Sequence, residues 1–241
     1  ITAALGDNSK LTSAAKTAIG TRPVFDLKVS TTSGKVANSF GAGSVSVAIP
    51  YIFAAGEKAG NVQAVYLDGS GKVQWLTSSV YDSVNSVLRF STNHFSTYGV
   101  GYKQDAPAFT DIDGHWAKDD IQFVVNRGLL AGTGATTFSP NTAITHGMFV
   151  TALGRLANAD ISGYKQSILP DTKAAPYYMG YIEWASKNGI VSGSTDGKFN
   201  PAASITREQM AVIVSNYAKA IGFTTPKVHA ENTFADSTKI S

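Results

Sequence analysis

Three short stretches of the chain hold residue types from which chemistry can be made. In His94-Phe95-Ser96 an imidazole lies two residues from a hydroxyl. Attack of the Ser96 hydroxyl on the Phe95 carbonyl, with His94 taking the proton, would turn the peptide bond into an ester that water then hydrolyses. A strained turn would favour that step. On an alternating strand the same spacing puts His94 and Ser96 on one face, where they share a hydrogen bond without reacting, while Phe90 and Phe95 turn to a core. The second stretch is Thr206-Arg207-Glu208-Gln209, in which Thr206 is placed to cap a helix and Gln209 gives the stretch the form of a capping box. Arg207 then offers a planar fork matched to a carboxylate, at a helix start whose N–H groups and dipole favour an anion. Its alternative role is a solvated charge paired with a neighbouring carboxylate. The third stretch, Thr145-His146-Gly147-Met148, has the same capping threonine but His in the place of Arg and Gly inside the helix. A glycine there costs roughly 1 kcal/mol of helix stability relative to Ala.

Other constellations fall short of a site. Asp111-Ile-Asp113-Gly114 begins like a calcium loop, but its Gly comes two places early and the closing Glu is missing. His115 and Asp119 stand one helical turn apart without a third metal ligand. The glycines of 41–48 lead into a strand instead of a helix, which argues against phosphate binding. No pair of carboxylates marks a glycosidase. The sequence therefore predicts neither a metal nor a cofactor.

These residues must be positioned by elements of two kinds. Of the 241 residues, 43% are hydrophobic and 15% charged, which suits a folded protein long enough for two modest domains. Residues 1–108 hold 9 Lys/Arg against 6 Asp/Glu and residues 109–241 hold 11 against 11, so neither part has the basic stripe of a nucleic-acid binder. The absence of cysteine excludes disulfides, thiolate zinc and a Cys nucleophile. No run approaches the roughly 18 apolar residues of a membrane helix. From 21 to 102 the pattern is short and alternating: VFDLKVS, SVSVAIPYIF, VQAVYLD, KVQWLTS and SVLRFSTNHFSTYGVGY. Asp68-Gly69-Ser70-Gly71 punctuates it as a hairpin turn. This predicts an antiparallel, Ig-like β-sandwich. Residues 1–20 have no assigned place, and 103–108 reads as a linker.

After residue 108 the period becomes helical. Trp116, Ile121, Val124 and Val125 lead to a stop at Gly128, and Thr145 opens a helix whose face carries Phe149, Ala152, Leu153 and Leu156. Tyr178, Ile182 and Ala185, the stop at Gly189, and Thr206 ahead of Met210, Ile213, Val214 and Tyr217 repeat the plan. Phe138, Pro140, Ile144 and Thr145 recur 61 positions later as Phe199, Pro201, Ile205 and Thr206. Such a period marks a supersecondary unit that buries its apolar face against a neighbouring copy. Phe109-Thr-Asp111 opens one unit (109–160) and Leu169-Pro-Asp171 marks the next (161–222). Phe234-Ala-Asp236 in the final segment, 223–241, is expected to open a third, as in a piece of a longer protein.

The phrases FTDIDGHWAKDDIQFVVNRGLLAGTGATTFSPNTAITHGMF and LPDTKAAPYYMGYIEWASKNGIVSGSTDGKFNPAASITREQMAV resemble the S-layer homology repeat of bacterial surface proteins. The resemblance covers about residues 109–220. It implies a pseudo-threefold helical bundle, here with a truncated third repeat, and non-covalent attachment to a secondary cell-wall polysaccharide, often pyruvylated, at the outside of the cell. It also implies that grooves between neighbouring repeats receive the sugar and that the Thr-Arg-Ala-Glu motif maps onto Thr206, Arg207 and Glu208. The matching start in the first copy is Thr145 and His146, and a groove relying on His146 should hold an anionic sugar poorly, or better in acid. Trp116 and Tyr177 are either stacking platforms for sugar rings or core residues. Asp111 and Asp171 either bond sugar hydroxyls or cap the turn before the first helix of each unit. Another chain of the same kind, or the missing third repeat, could complete a groove. Separately, His94-Phe95-Ser96 is similar to the terminal strand of the self-cleaving β-sandwiches in netrin receptors, death-domain adaptors and one nucleoporin, which implies cleavage between Phe95 and Ser96. The reading is thus an anchoring module, with self-processing and a purely structural segment as alternatives.

Overall fold

The computed structural model describes residues 2–37, 39, 43–106, 108–165, 167, 169–172, 176–194 and 196–223, the side chain of Pro176 excepted. Phe234-Ala-Asp236, the expected opening of a third unit, lies outside the described residues. The chain forms two compact units, Ile1–Pro140 and Asn141–Ser241.

In the first unit, β1 (Thr2–Leu5), α1 (Ser13–Ile19), β2 (Val24–Ser30), β3 (Val36–Ala37), β4 (Val45–Pro50), β5 (Val62–Leu67), β6 (Val73–Leu76), β7 (Val80–Asp82), β8 (Val87–Thr92) and β9 (Thr97–Tyr102) precede α2 (Lys118–Asn126). All pairings are antiparallel. One sheet runs β1-β2-β9-β5-β6 with β3 on β2, and the other runs β4-β8-β7. Alternation decides which side chains turn inward: Leu88, Phe90 and Thr92 of β8 are buried while Arg89 and Ser91 are exposed. Leu88 and Phe90 join Ile49 in one cluster with Leu27, Val62, Tyr98 and Val100 of the larger sheet. Each such side chain contributes about 1.5–3 kcal/mol by leaving water. On the opposite face of β5, Val65 and Leu67 pack with Ala15, Ala18 and Ile19 of α1. Cover on both faces explains why β5 reads VQAVYL with little alternation. The turn expected at residues 68–71 joins β5 to β6, and Asp68 Oδ1 accepts the amides of Ser70 and Lys72 at 2.9 Å each.

The segment SVLRFSTNHFSTYGVGY is two strands in different sheets, and the chain crosses between them at Asn93–Ser96. Thr92 Oγ1 and the Tyr98 hydroxyl, 2.6 Å apart, tie the two sides of that crossing together.

The first unit continues past the expected linker. Asp105 meets Lys58 at 2.5 Å and Asn61 at 2.7 Å, and the Ala106 amide donates to Asn126 Oδ1 at 2.8 Å. The Asn126 amide reaches Asn61 Oδ1 at 3.0 Å. Arg127 is 2% exposed, and its Nη1 donates to the carbonyls of Thr77, at 2.9 Å, and Ser79. Burial pulls the Arg127 guanidinium down to about 10. The opening helix of the first helical copy is therefore bonded through polar side chains to the sheet region.

The second unit holds α3 (His146–Leu156), α4 (Pro176–Lys187) and α5 (Arg207–Ala220). Val150, Leu153, Tyr178, Ile182, Ile190 and Ile213 anchor its core. The buried face of α3 is Gly147, Val150, Thr151, Leu153 and Gly154, with Phe149 and Leu156 only partly covered, so the helix is rotated from its expected face. Small residues cause this. A Cβ on Gly154 would stand 2.4 Å from the Tyr181 ring, and one on Gly147 2.9 Å from the Tyr178 ring. On α5, Val214 is 46% exposed, against the expected inward face.

Candidate functional site

The repeated phrases build repeated local structure. Asp111 accepts the amides of Phe138 (2.9 Å) and Ser139 (2.7 Å) in the first unit. Asp171 does the same for Phe199 (3.0 Å) and Asn200 (2.7 Å) in the second. Ser139 (φ 63°) and Asn200 (φ 56°) hold the same left-handed conformation between the Phe and the Pro. The two aspartates thus fasten a turn some 27–29 residues onward. The amides of Phe138 and Ser139 hold the Asp111 carboxyl below its ordinary value. Burial pushes Asp171 up, but the Phe199 and Asn200 amides outweigh it and leave that carboxyl lowered too. Gly128 (φ 71°) and Gly189 (φ 67°) end the first helix of each copy, with Leu129 N and Ile190 N each returning to a carbonyl five residues back at 2.9 Å.

Within the second unit the two helix starts interlock. Ile205 N donates to Ile144 O at 3.0 Å, His146 N to Ala203 O at 3.0 Å, and Gly147 N to Pro201 O at 2.9 Å. The glycine that seemed a weakness in the helix is what lets α3 approach Tyr178 and Pro201 so closely. Thr145 caps α3 through the Met148 amide at 3.3 Å. Thr206 caps α5 through the Gln209 amide at 3.2 Å, and Gln209 Oε1 returns to the Thr206 amide at 2.9 Å, a full capping box. The fourth place of the Thr-Arg-x-x phrase is therefore Gln209, and Glu208 occupies the third. His146 Nδ1 lies 3.0 Å from the Asn200 carbonyl and Nε2 3.0 Å from Gln209 Oε1, two acceptors, of which a neutral ring can donate to one and an imidazolium to both.

A cavity of about 510 Å³ opens beside this interlock. Val191, Phe199, Val212 and Ile213 give it an apolar lining, and Ser192, Asn200, Glu208 and Asn216 give it polar groups. Thr206 and His146 also reach it; Arg207, Tyr177 and Asp171 do not. Arg207 is exposed and has neither an ion pair nor a hydrogen bond among the described residues. Tyr177 is 56% exposed with its ring edge-on to Tyr178 at 4.5 Å, and Trp116, its twin in the first unit, is 88% exposed and stacked on His115. Neither aromatic is core.

The structure separates the parts of His94-Phe95-Ser96. The His94 ring takes Asn93 Oδ1 (3.1 Å) and Thr92 Oγ1 (3.3 Å) at Nδ1 and abuts the Tyr66 ring at 4.7 Å. The Ser96 hydroxyl points to the Leu67 carbonyl at 3.4 Å. The three residues lie in the crossing between sheets, not on a strand, so strand alternation does not set their faces. Among the described residues, no group of three or more His, Cys, Asp or Glu could hold a metal, and no helix is long and apolar enough to cross a membrane.

The S-layer homology domain matches residues 108–147 and 169–211, so the chain carries two S-layer homology repeats. The chain is 33% identical over 181 residues to an amylopullulanase of Thermoanaerobacterium thermosulfurigenes, covering 74% of this chain and 9% of that enzyme. It is 32% identical over 120 residues to a surface-layer 125 kDa protein of Lysinibacillus sphaericus (47% of this chain, 10% of that protein). It is 28% identical over 105 residues to an S-layer protein of Bacillus licheniformis (43% and 12%). The chain thus spans only about a tenth of the length of these relatives. S-layer homology domains anchor surface proteins to the cell wall, and the two repeats assign this chain to the cell surface.

Proposed function

We propose that this chain fastens a bacterial surface protein to the wall by binding a secondary cell-wall polysaccharide, pyruvylated on its sugars, in the cavity beside α5. The observation that carries the reading is the pairing of that cavity with Arg207, an exposed guanidinium free of partners among the described residues, one residue beyond the cap Thr206 that lines it. Apolar walls suit the flat faces of sugar rings, and the polar groups suit hydroxyls. Arg207 supplies the fork for a carboxylate. Trp116 and Tyr177 remain open to solvent as stacking surfaces. Asp171, Thr145 and His146 support the site by fixing its turn and helix starts, and Asp111 fixes the matching turn in the first unit. The two sheets with a shared core are read as an Ig-like sandwich serving as a spacer, and the helices as part of a repeat bundle to which another repeat contributes. The test is retention on purified sacculi with and without their secondary polysaccharide. Binding that requires the polysaccharide and falls about tenfold in Arg207→Ala, the loss of one charge-assisted contact, is expected. Equal retention of both proteins, or of neither, overturns the reading.

A further inference from the structure

Resting on that reading for its ligand, we infer that His146 positions the cavity in a proton-dependent way: as an imidazolium it bonds Asn200 O and Gln209 Oε1 at once, locks the two helix starts together and strengthens the hold on an acidic polymer. The ring nitrogens face these two oxygens at 3.0 Å each. Asn200 O is a backbone carbonyl and can only accept. Gln209 Oε1 accepts the Thr206 amide at 2.9 Å, so the side chain cannot turn its NH2 toward the ring without setting donor against donor. A neutral ring therefore donates to one oxygen and presents a bare nitrogen to the other, whereas the imidazolium satisfies both. The bond gained on protonation belongs to the folded interlock, so it adds stability on the acid side and is lost as the pH rises. That interlock carries the cavity walls. His146, Phe199, Asn200, Thr206 and Gln209 all line the cavity, and the His146 and Gly147 amides hold the Ala203 and Pro201 carbonyls ahead of α5. The charged side chains on the elements around the ring are Arg207 and Glu208 at the start of α5, and Asp171, Asp196 and Lys198 about the turn. On its own helix Arg155 stands in the last turn, and α4 brings the Tyr178 ring against Gly147. Near the ring, three carboxylates thus stand against two cations, with no excess of positive charge to oppose the imidazolium. The same proton places a positive charge in the lining, where it attracts an acidic polymer.

The test compares the unaltered full chain with His146→Gln, which keeps one donor and never carries a charge, at about pH 5.5 and about pH 8, the range in which imidazoles change charge. Among the described residues of the second unit His146 is the one histidine. Protection of the amides at 146, 147 and 205, corrected for the intrinsic pH dependence of exchange, should be about fivefold greater at the lower pH in the unaltered chain and equal at both in the variant. Affinity for the secondary polysaccharide, measured by calorimetry, should follow the same pattern. Equal protection at both pH values in the unaltered chain, or an acid gain that survives in the variant, overturns the inference. So does a polysaccharide that binds with the same affinity at both. Should the variant not fold, ring nitrogen–proton spectra of the unaltered chain at about pH 5.5 decide: two slowly exchanging ring N–H protons support the inference, and one that exchanges freely overturns it. A chain that gains protection in acid yet binds no polysaccharide at either pH overturns the anchoring reading and confirms the proton link of the interlock.

Discussion

His146 Nε2 and Gln209 Oε1 stand 3.0 Å apart and join the helix start of one repeat to that of the next. Because the same oxygen accepts the Thr206 amide at 2.9 Å, one side chain both caps α5 and ties it to α3. Residues that occupy matching places in two copies of a phrase thereby do different work: His146 is consumed by the contact between copies, and Arg207 is left to the solvent.

Gln209→Ala should loosen both contacts at once. A lost cap and a lost link together amount to about 1–2 kcal/mol. Hydrogen exchange at the first turns of α3 and α5 is the right measurement, because a chain of two units need not unfold in one step. Faster exchange at α5 alone would show that the His146 contact contributes nothing.

Gly147→Ala removes a helix-weakening residue, and propensity alone predicts a gain of roughly 1 kcal/mol. The structure predicts the opposite. The new methyl would lie 2.9 Å from the Tyr178 ring and 3.1 Å from the Pro201 carbonyl, and overpacking of this kind costs about 1–3 kcal/mol. Thermal unfolding should report a lower midpoint.

Acid should act through Asp171. Its carboxyl is lowered in the folded chain, so the stability it contributes is complete above its ordinary value of 3.8 and is lost as the pH falls through its lower folded value. Asp171→Asn should remove most of that acid sensitivity from the Phe199–Asn200 turn, read by amide shifts between pH 5 and about 2. Asp111, with the same partners in the first unit, should behave likewise at Phe138 and Ser139.

Arg127→Met keeps the length of the buried side chain but leaves the Thr77 and Ser79 carbonyls without their donor. The expected loss is about 1–3 kcal/mol. It should appear as faster amide exchange both at β6–β7 and along α2. Loss confined to α2 would mean that the sheet does not lean on this contact.

With the His94 ring and the Ser96 hydroxyl held by different partners, the chain should keep its full intact mass on long incubation at neutral pH. Two fragments meeting between Phe95 and Ser96 would show that the crossing rearranges into a reactive geometry.

Much of this was legible in the sequence, for stated reasons. The periods 2 and 3.6 placed the strands and helices, the 61-residue spacing revealed the two copies, and Thr145, Thr206, Gly128 and Gly189 marked helix ends by chemistry that acts locally. What escaped was what depends on distant partners. The rotation of α3 follows from Tyr178 and Tyr181 pressing on glycines, and no pattern within α3 announces it. The crossing at Asn93–Ser96 looked like continuous alternation because both its strands alternate. Asp111 and Asp171 were readable as sugar contacts or as turn caps, and their bonds to amides 27–29 residues away have no signal in the neighbouring sequence. Asn126 and Arg127 gave one signal that could have been read: their counterparts in the second copy are Lys187 and Asn188, both exposed, so the first copy had changed residues on a face that the second leaves in water.

That change has a practical side. Anyone borrowing the repeats as a wall-attachment tag would naturally cut between residues 103 and 108. The excised piece would carry Asn126 and Arg127 without Asn61, Thr77 and Ser79, the groups they grip. A tag that includes the sheets arrives with its first helix already seated, so the smallest portable cassette is larger than the repeats it is named for.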